Sequence, residues 1–202
     1  MSAHAHPRLT EEEYLKIERA AEFKSEFFDG VMYPKGGPYG MSGGSAAHAL
    51  IIPNLAAELR HELKPKPCAV YVTELRLRIA KRGSYAYPDI AVVCGPPKYL
   101  DDQKDTLTNP TMLVEVLSPS TEAHDRGLKF AQYRQIESLR EYGLVSQSEP
   151  RVEIFRRQSS GEWLLSEVSG LDAKARFDSL SCEIALGEIY HQVNFPEESP
   201  EV

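Results

Sequence analysis

The chain has 202 residues and a mass of 22.6 kDa, with 42% hydrophobic and 26% charged residues, which excludes disorder and fits one globular domain over 1–202. No stretch approaches the roughly 18 unbroken apolar residues of a membrane span, Met1–Pro7 lacks the apolar centre of a signal peptide, and Cys68, Cys94 and Cys182 are too few and scattered for a disulfide framework or thiolate metal site; together these predict a reduced cytoplasm. The net charge of −7 argues against indiscriminate coating of DNA.

In chain order, residues 1–8 and 194–202 read as frayed ends, and His4-Ala-His6 as incidental. Thr10-Glu11-Glu12-Glu13 is a capping box opening a helix over 11–20. Lys24–Phe28, Asp29-Gly30 and Val31–Tyr33 form a hairpin pattern, because Asp-Gly supplies the positive φ of a tight turn. A glycine-rich loop follows (Gly36, Gly37, Gly40, Gly43, Gly44). Without a Gly-Lys-Ser/Thr it is not a P-loop, and it reads as flexible backbone near a site or as a connector. Ser45–Leu63 carries Ile51, Leu55, Leu59 and Leu63 at four-residue spacing, an amphipathic helix. Residues 58–82 hold seven Lys or Arg against three Glu, a surplus of four positive charges, whereas residues 183–202 hold five Glu and no Lys or Arg. The basic stretch is either a solvated face or a flank that receives a polyanion.

Val70–Val72, Leu75–Ile79, Ile90–Cys94 and Thr111–Leu117 are strands by length and β-branched content. Thr121–Leu139 reads as a helix, despite Gly127. Gly143–Ser146, Val152–Arg157 and Trp163–Val168 predict an antiparallel meander, with Ser159-Ser160-Gly161 in its last turn. Residues 180–191 give a short strand and a short helix. Helices interleaved with strands, then a meander, predict an α/β (α+β) fold whose mixed sheet is flanked by helices.

The chemistry centres on Glu115. Met112-Leu113-Val114-Glu115-Val116-Leu117 is apolar at both parities, as in a strand buried on both faces, and an unpaired carboxylate there is costly. It is either a functional acid, one half of a buried ion pair, or a water-facing residue of an edge strand. Asp89 follows Pro88 at the mouth of the apolar run Ile90-Ala91-Val92-Val93, as a turn residue or a second acid. Two acids on neighbouring strands, about 4.8 Å apart, can share one Mg²⁺ or Mn²⁺. Such an ion lowers the pKa of bound water and neutralises phosphoryl charge, the machinery of phosphodiester hydrolysis.

Asp125, Lys129 and Tyr133 recur at four-residue spacing on the next helix, either as a solvated salt bridge or with Lys129 reaching back to Glu115. Glu26 is a further acid or a solvent-facing strand residue. His48, in the first turn of the long helix, is structural or a phosphate contact or proton carrier. Gly-x-Ser-x-Gly, His-Glu-x-x-His and a dinucleotide fingerprint are absent.

Tyr87-Pro88-Asp89, then Val114-Glu115-Val116-Leu117-Ser118-Pro119-Ser120-Thr121 with Asp125, Lys129 and Tyr133, resembles the Uma family of restriction endonucleases, within the PD-(D/E)XK nuclease superfamily. Leu9-Thr10, Glu13-Tyr14-Leu15, Glu26, Asp29-Gly30 and His48 extend the resemblance over about residues 9–190. It implies a restriction-endonuclease-like core, Asp89 and Glu115 as ligands of Mg²⁺ or Mn²⁺, Glu26 as a possible further acid, and DNA as substrate. A homodimer follows by analogy, since a duplex has two strands.

Two positions depart from the family. Leu117 stands where the superfamily motif places lysine, and Lys129 is the candidate for a lysine moved to the next helix. Tyr142-Gly143-Leu144-Val145-Ser146 stands where members carry Tyr-Trp and an Asp, a change expected to bear on packing or a partner surface. The rival readings are a catalytically silent nucleic-acid-binding module of nuclease fold, and a phosphoesterase acting on RNA or a small phosphate ester.

Overall fold

The computed structural model describes residues 8–35, 45–79, 83–119 and 121–195. The glycine-rich loop, His4 and His6 lie outside the described residues. The capping box forms as its sequence dictates: the Thr10 hydroxyl accepts the Glu13 N–H at 3.2 Å, and the Glu13 carboxylate accepts the Thr10 N–H at 2.8 Å. It opens α1 (Glu11–Ala20). The hairpin follows as β1 (Ser25–Phe28) and β2 (Val31–Pro34), with Asp29 at φ 49° and Gly30 at φ 84° in the turn. Gly30 is required twice over, since an added Cβ would also lie 2.6 Å from Arg8 Cβ.

α2 (Ala46–Leu63) starts where the Ser45 hydroxyl accepts the His48 N–H at 3.1 Å. Then come β3 (Cys68–Val72), β4 (Arg76–Ile79), β5 (Ser84–Ala86), β6 (Ile90–Cys94), β7 (Thr106–Leu107) and β8 (Met112–Leu117). α3 (Glu122–His124), a π-helical turn (Asp125–Lys129) and α4 (Phe130–Tyr133) run on continuously. The meander is β9 (Glu141–Ser146), β10 (Arg151–Arg157) and β11 (Trp163–Ser169), and the chain closes with β12 (Lys174–Phe177), β13 (Cys182–Ala185) and α5 (Leu186–Ile189).

Six strands form the main sheet in the order β11-β10-β9-β8-β6-β3, antiparallel except for β8 beside β9. Because side chains alternate, Val92, Val114, Val116 and Val145 face α2 and its Ile51, Leu55 and Leu59. Ala91, Val93, Leu113, Leu117 and Leu144 face the other way, onto Leu77, Ile79 and Ala86 of a second sheet ordered β2-β1-β5-β4-β7. The β8 strand is therefore buried on both faces, as its composition predicts.

Three expectations fail. The helix over 121–139 ends at Tyr133, widens to a π turn at its centre, and gives way to turns that carry Ile136 and Leu139 into the core; burial of those two side chains overrides the helical periodicity. β5, β7 and β12 were not anticipated, being too short or too mixed in pattern. The cysteines are not all free: Cys68 and Cys94 stand directly opposite on antiparallel β3 and β6 and are joined by a disulfide, while Cys182 is free and buried. Strand register, invisible in the spacing of the two residues, brings them together, so cysteine usage no longer argues for a reduced compartment. No helix among the described residues is long and apolar enough to cross a membrane.

Candidate active site

Ile90 pairs with Val114, so continuing the antiparallel register sets Asp89 against Glu115. Alternation puts both side chains on the face shared with Ala91, Val93, Leu113 and Leu117, and both are buried, Asp89 at 5% and Glu115 at 2% exposure. The β6–β8 pairing stops at this point. There the Asp89 carboxylate accepts the Val116 N–H at 2.9 Å, taking over the role of a ladder carbonyl.

The π turn delivers the cation. Lys129 Nζ lies 3.1 Å from Glu115 Oε1, 3.1 Å from Asp125 Oδ1 and 3.3 Å from Glu26 Oε1. Tyr133, one turn further, donates its hydroxyl to Glu115 Oε1 at 2.8 Å. The stripe of Asp125, Lys129 and Tyr133 is thus buried against the sheet and not solvated. Glu26 shares the inward face of β1 with Phe28, so its solvent-facing alternative is excluded. His48 Nε2 lies 3.4 Å from Asp89 Oδ2, His124 Nε2 lies 3.7 Å from Glu26 Oε2, and Lys35 Nζ lies 3.8 Å from Asp89 Oδ1. The structure therefore brings Asp89, Glu115, Glu26 and Lys129 into one cluster, with His48 at its Asp89 side.

The electrostatics follow from this packing. Burial works against the Asp89 carboxylate, but His48, Lys35 and the Val116 amide outweigh it and hold its pKa below the ordinary value. Burial likewise opposes Glu26, and Lys129, His124 and Lys35 overcome it. Glu115 goes the other way: burial, with Asp89 and Asp125 close by, pushes it up to about 8 against the pull of Lys129. Lys129 is held well above its usual pKa, because the three carboxylates outweigh the cost of its burial. Asp125 Oδ1 is buried without a hydrogen-bond partner among the described residues, despite its ion pair with Lys129. The cluster is an acid-rich site with one buried, fully surrounded ammonium.

The donor set suits a hard divalent cation: carboxylate oxygens and a surplus of acidic over basic side chains. Among the described residues no three His, Cys, Asp or Glu side chains converge at ligand spacing. Mg²⁺ does not need three, since it is commonly held by one or two carboxylates with water and phosphate completing its shell. Lys129 and Tyr133 both bond Glu115 Oε1, which leaves Oε2 as the oxygen available to a ligand.

Four of the seven cations in the basic stretch over 58–82 are engaged within the protein, and Lys81 and Arg82 lie outside the described residues. Arg76 bonds Asp105 and Thr106, Arg78 bonds Glu11, Lys66 bonds the Leu180 and Ser181 carbonyls, and Arg60 bonds the Val70 carbonyl. Lys35, His124 and the Tyr133 hydroxyl were missed as site groups, since only the hairpin and the π turn bring them to the acids.

Residues 11–188 match the Uma2 family, whose description is "Putative restriction endonuclease". The uncharacterized protein sll1609 of Synechocystis sp. is 38% identical over 169 residues, which is 84% of this chain and 92% of that protein. A second Synechocystis protein, uncharacterized protein slr1290, is 34% identical over 191 residues, 94% of this chain and 95% of its own length. The crystal structure of "a putative nuclease belonging to DUF820" from Anabaena variabilis aligns with a TM-score of 0.71 at 19% identity. It covers 90% of this chain and 97% of that one, a likeness of fold.

Proposed function

The chain belongs to the Uma2 family, and from that premise we propose that it is an endonuclease hydrolysing DNA phosphodiester bonds with Mg²⁺ or Mn²⁺ held by Asp89 and Glu115. One observation carries the proposal: Lys129, from a different element, lies 3.1 Å from Glu115 on the strand beside Asp89. That proximity supports reading Lys129 as the counterpart of the superfamily's lysine, whose place in the sequence motif is taken by Leu117.

When bound, the ion supplies positive charge to a phosphoryl oxygen and lowers the pKa of water. The protein's own residues prepare the site. His48 and the Val116 amide fix the Asp89 carboxylate and keep it ionised. Tyr133 and Lys129 fix Glu115 through Oε1. Lys129 also ties Glu26 and Asp125 to Glu115, so β1, β8 and the π turn hold one charge constellation in place before substrate arrives.

The test is cleavage of supercoiled plasmid and of single strands with Mg²⁺ or Mn²⁺ by the wild type, Asp89→Ala, Glu115→Ala and Lys129→Ala. We expect metal-dependent nicking that each substitution reduces by at least about 100-fold, the scale of losing one preorganised electrostatic group. Acid variants that die beside a fully active Lys129→Ala would remove Lys129 from the site's function. A wild type that binds DNA and metal without cutting would turn the reading to a silent binding module, which Leu117 favours. Cleavage of RNA or a small ester alone would turn it to the phosphoesterase.

A further inference from the structure

The Lys129 ammonium has three N–H donors, and three carboxylates stand within 3.3 Å of it. Its side chain is only 8% exposed. It cannot grip an incoming phosphate without abandoning one of the acids it holds. Any lysine contact to the substrate's charge has to come from another residue.

Lys35 meets the requirement. Its backbone N–H continues the hairpin beyond β2, bonding the Lys24 carbonyl at 2.9 Å, so its position is set by the same hairpin that carries Glu26. Its Nζ donates to the Tyr87 carbonyl at 2.8 Å and lies 6.0 Å from the centre of the Tyr87 ring. Asp89 Oδ1 is 3.8 Å away, beyond the reach of a charge-assisted hydrogen bond. Among the described residues one of its three donors is therefore used. The side chain is 27% exposed where that of Asp89 is 8% exposed, so Lys35 lies on the solvent side of a buried acid. Neighbouring Lys24 is not equivalent, since its ammonium bonds Glu74 at 2.6 Å and the Thr73 carbonyl at 3.2 Å.

We propose that Lys35 is a substrate-contacting residue that binds a non-bridging oxygen of the substrate's phosphodiester next to Asp89, while Lys129 serves the acids alone. The inference rests on the nuclease reading above. It divides the cationic work of the site between an inner lysine that is saturated and an outer one with donors to give.

The experiment compares wild type with Lys35→Met, Lys35→Gln and Lys35→Arg. DNA binding is measured with Ca²⁺ in place of Mg²⁺ over a range of salt concentrations, Mn²⁺ affinity by calorimetry without DNA, and cleavage with Mn²⁺. Loss of one phosphate contact predicts about a 10-fold weaker DNA affinity in the Met and Gln variants and a salt slope smaller by about one. Lys35→Arg keeps both, Mn²⁺ affinity in the Met and Gln variants does not fall below the wild-type value, since a cation beside Asp89 is removed and no ligand is, and the cleavage defect appears in KM. DNA affinity and salt slope equal to wild type in the Met and Gln variants overturn the assignment to Lys35 while leaving the nuclease intact. Mn²⁺ affinity falling in step with DNA affinity also overturns it, because Lys35 then acts through Asp89. A wild type that neither binds nor cuts DNA overturns the nuclease reading itself, and the Lys35 assignment with it.

Discussion

Glu115 concentrates the cost of the site in one side chain. Fully buried beside Asp89 and Asp125, it holds a proton up to about pH 8, whereas the unfolded chain releases it near the ordinary glutamate value of 4.5. The sign follows from linkage. Between those values the folded state binds the extra proton, so stability is highest at the acid end of the window and declines as pH rises toward 8. Asp89 and Glu26, whose pKa values are depressed, act oppositely: their contribution is present above the unfolded carboxylate pKa and is lost as pH falls below it. We therefore expect urea midpoints of the metal-free protein to fall from pH 5 to pH 8. Glu115→Gln should flatten that limb, because the amide cannot titrate. An equally steep decline in Glu115→Gln would place the titrating group elsewhere. Glu115 was legible because an acid in a strand apolar at both parities has no structural reason to be there. Lys35 was not, because a lysine after a hairpin looks like any other surface lysine.

At the scale of elements, the sequence predicts one regular helix over Thr121–Leu139. The spacing of Asp125, Lys129 and Tyr133 survives, but a π turn replaces the α-helical turn under Lys129. π turns occur mostly as single widened turns and often at functional sites. Gly127 lies inside this turn, is exposed, has a helical φ rather than a left-handed one, and an added Cβ would meet nothing within 4 Å. Gly127→Ala is thus expected to stabilise the protein by about 1 kcal/mol by reducing backbone freedom in the unfolded chain. In a chain of this size that raises Tm by about 2–4 °C in a thermal melt. A lowered Tm would mean that the widened turn itself depends on glycine. α1 and α2 were readable because caps and a four-residue apolar repeat are local signals. β5 and β7 were not, because strands of three and two residues exist only through the neighbours they pair with.

At the scale of the whole molecule, the Cys68–Cys94 bridge joins residues 26 apart in sequence and fixes β3, the strand at one edge of the main sheet, to the strand that follows Asp89. Closing a loop of that length restricts the unfolded chain by about 3 kcal/mol. Reduction, or Cys68→Ser, is expected to lower stability by that order in urea unfolding. Thiol titration of the unreduced, denatured protein should then find Cys182 alone. Three reactive thiols, with a midpoint indifferent to reductant, would mean that the bridge is not formed in solution.

The sequence alone carries the elements whose signals are local: the capping box, the Asp-Gly turn, the apolar face of α2, the doubly buried β8 and the misplaced acid within it. It also determined that Asp89 lies at the mouth of a buried strand, and its motifs pointed to the family. Long-range packing sets Asp89 facing Glu115, turns Glu26 inward, places Lys129 among three carboxylates with Lys35 outside them, and brings two scattered cysteines together. Local signals depend on residues within one or two turns of the chain. A charge cluster depends on strand register and on the packing of distant elements, and a shift of register by one residue would send the same acids to the opposite face.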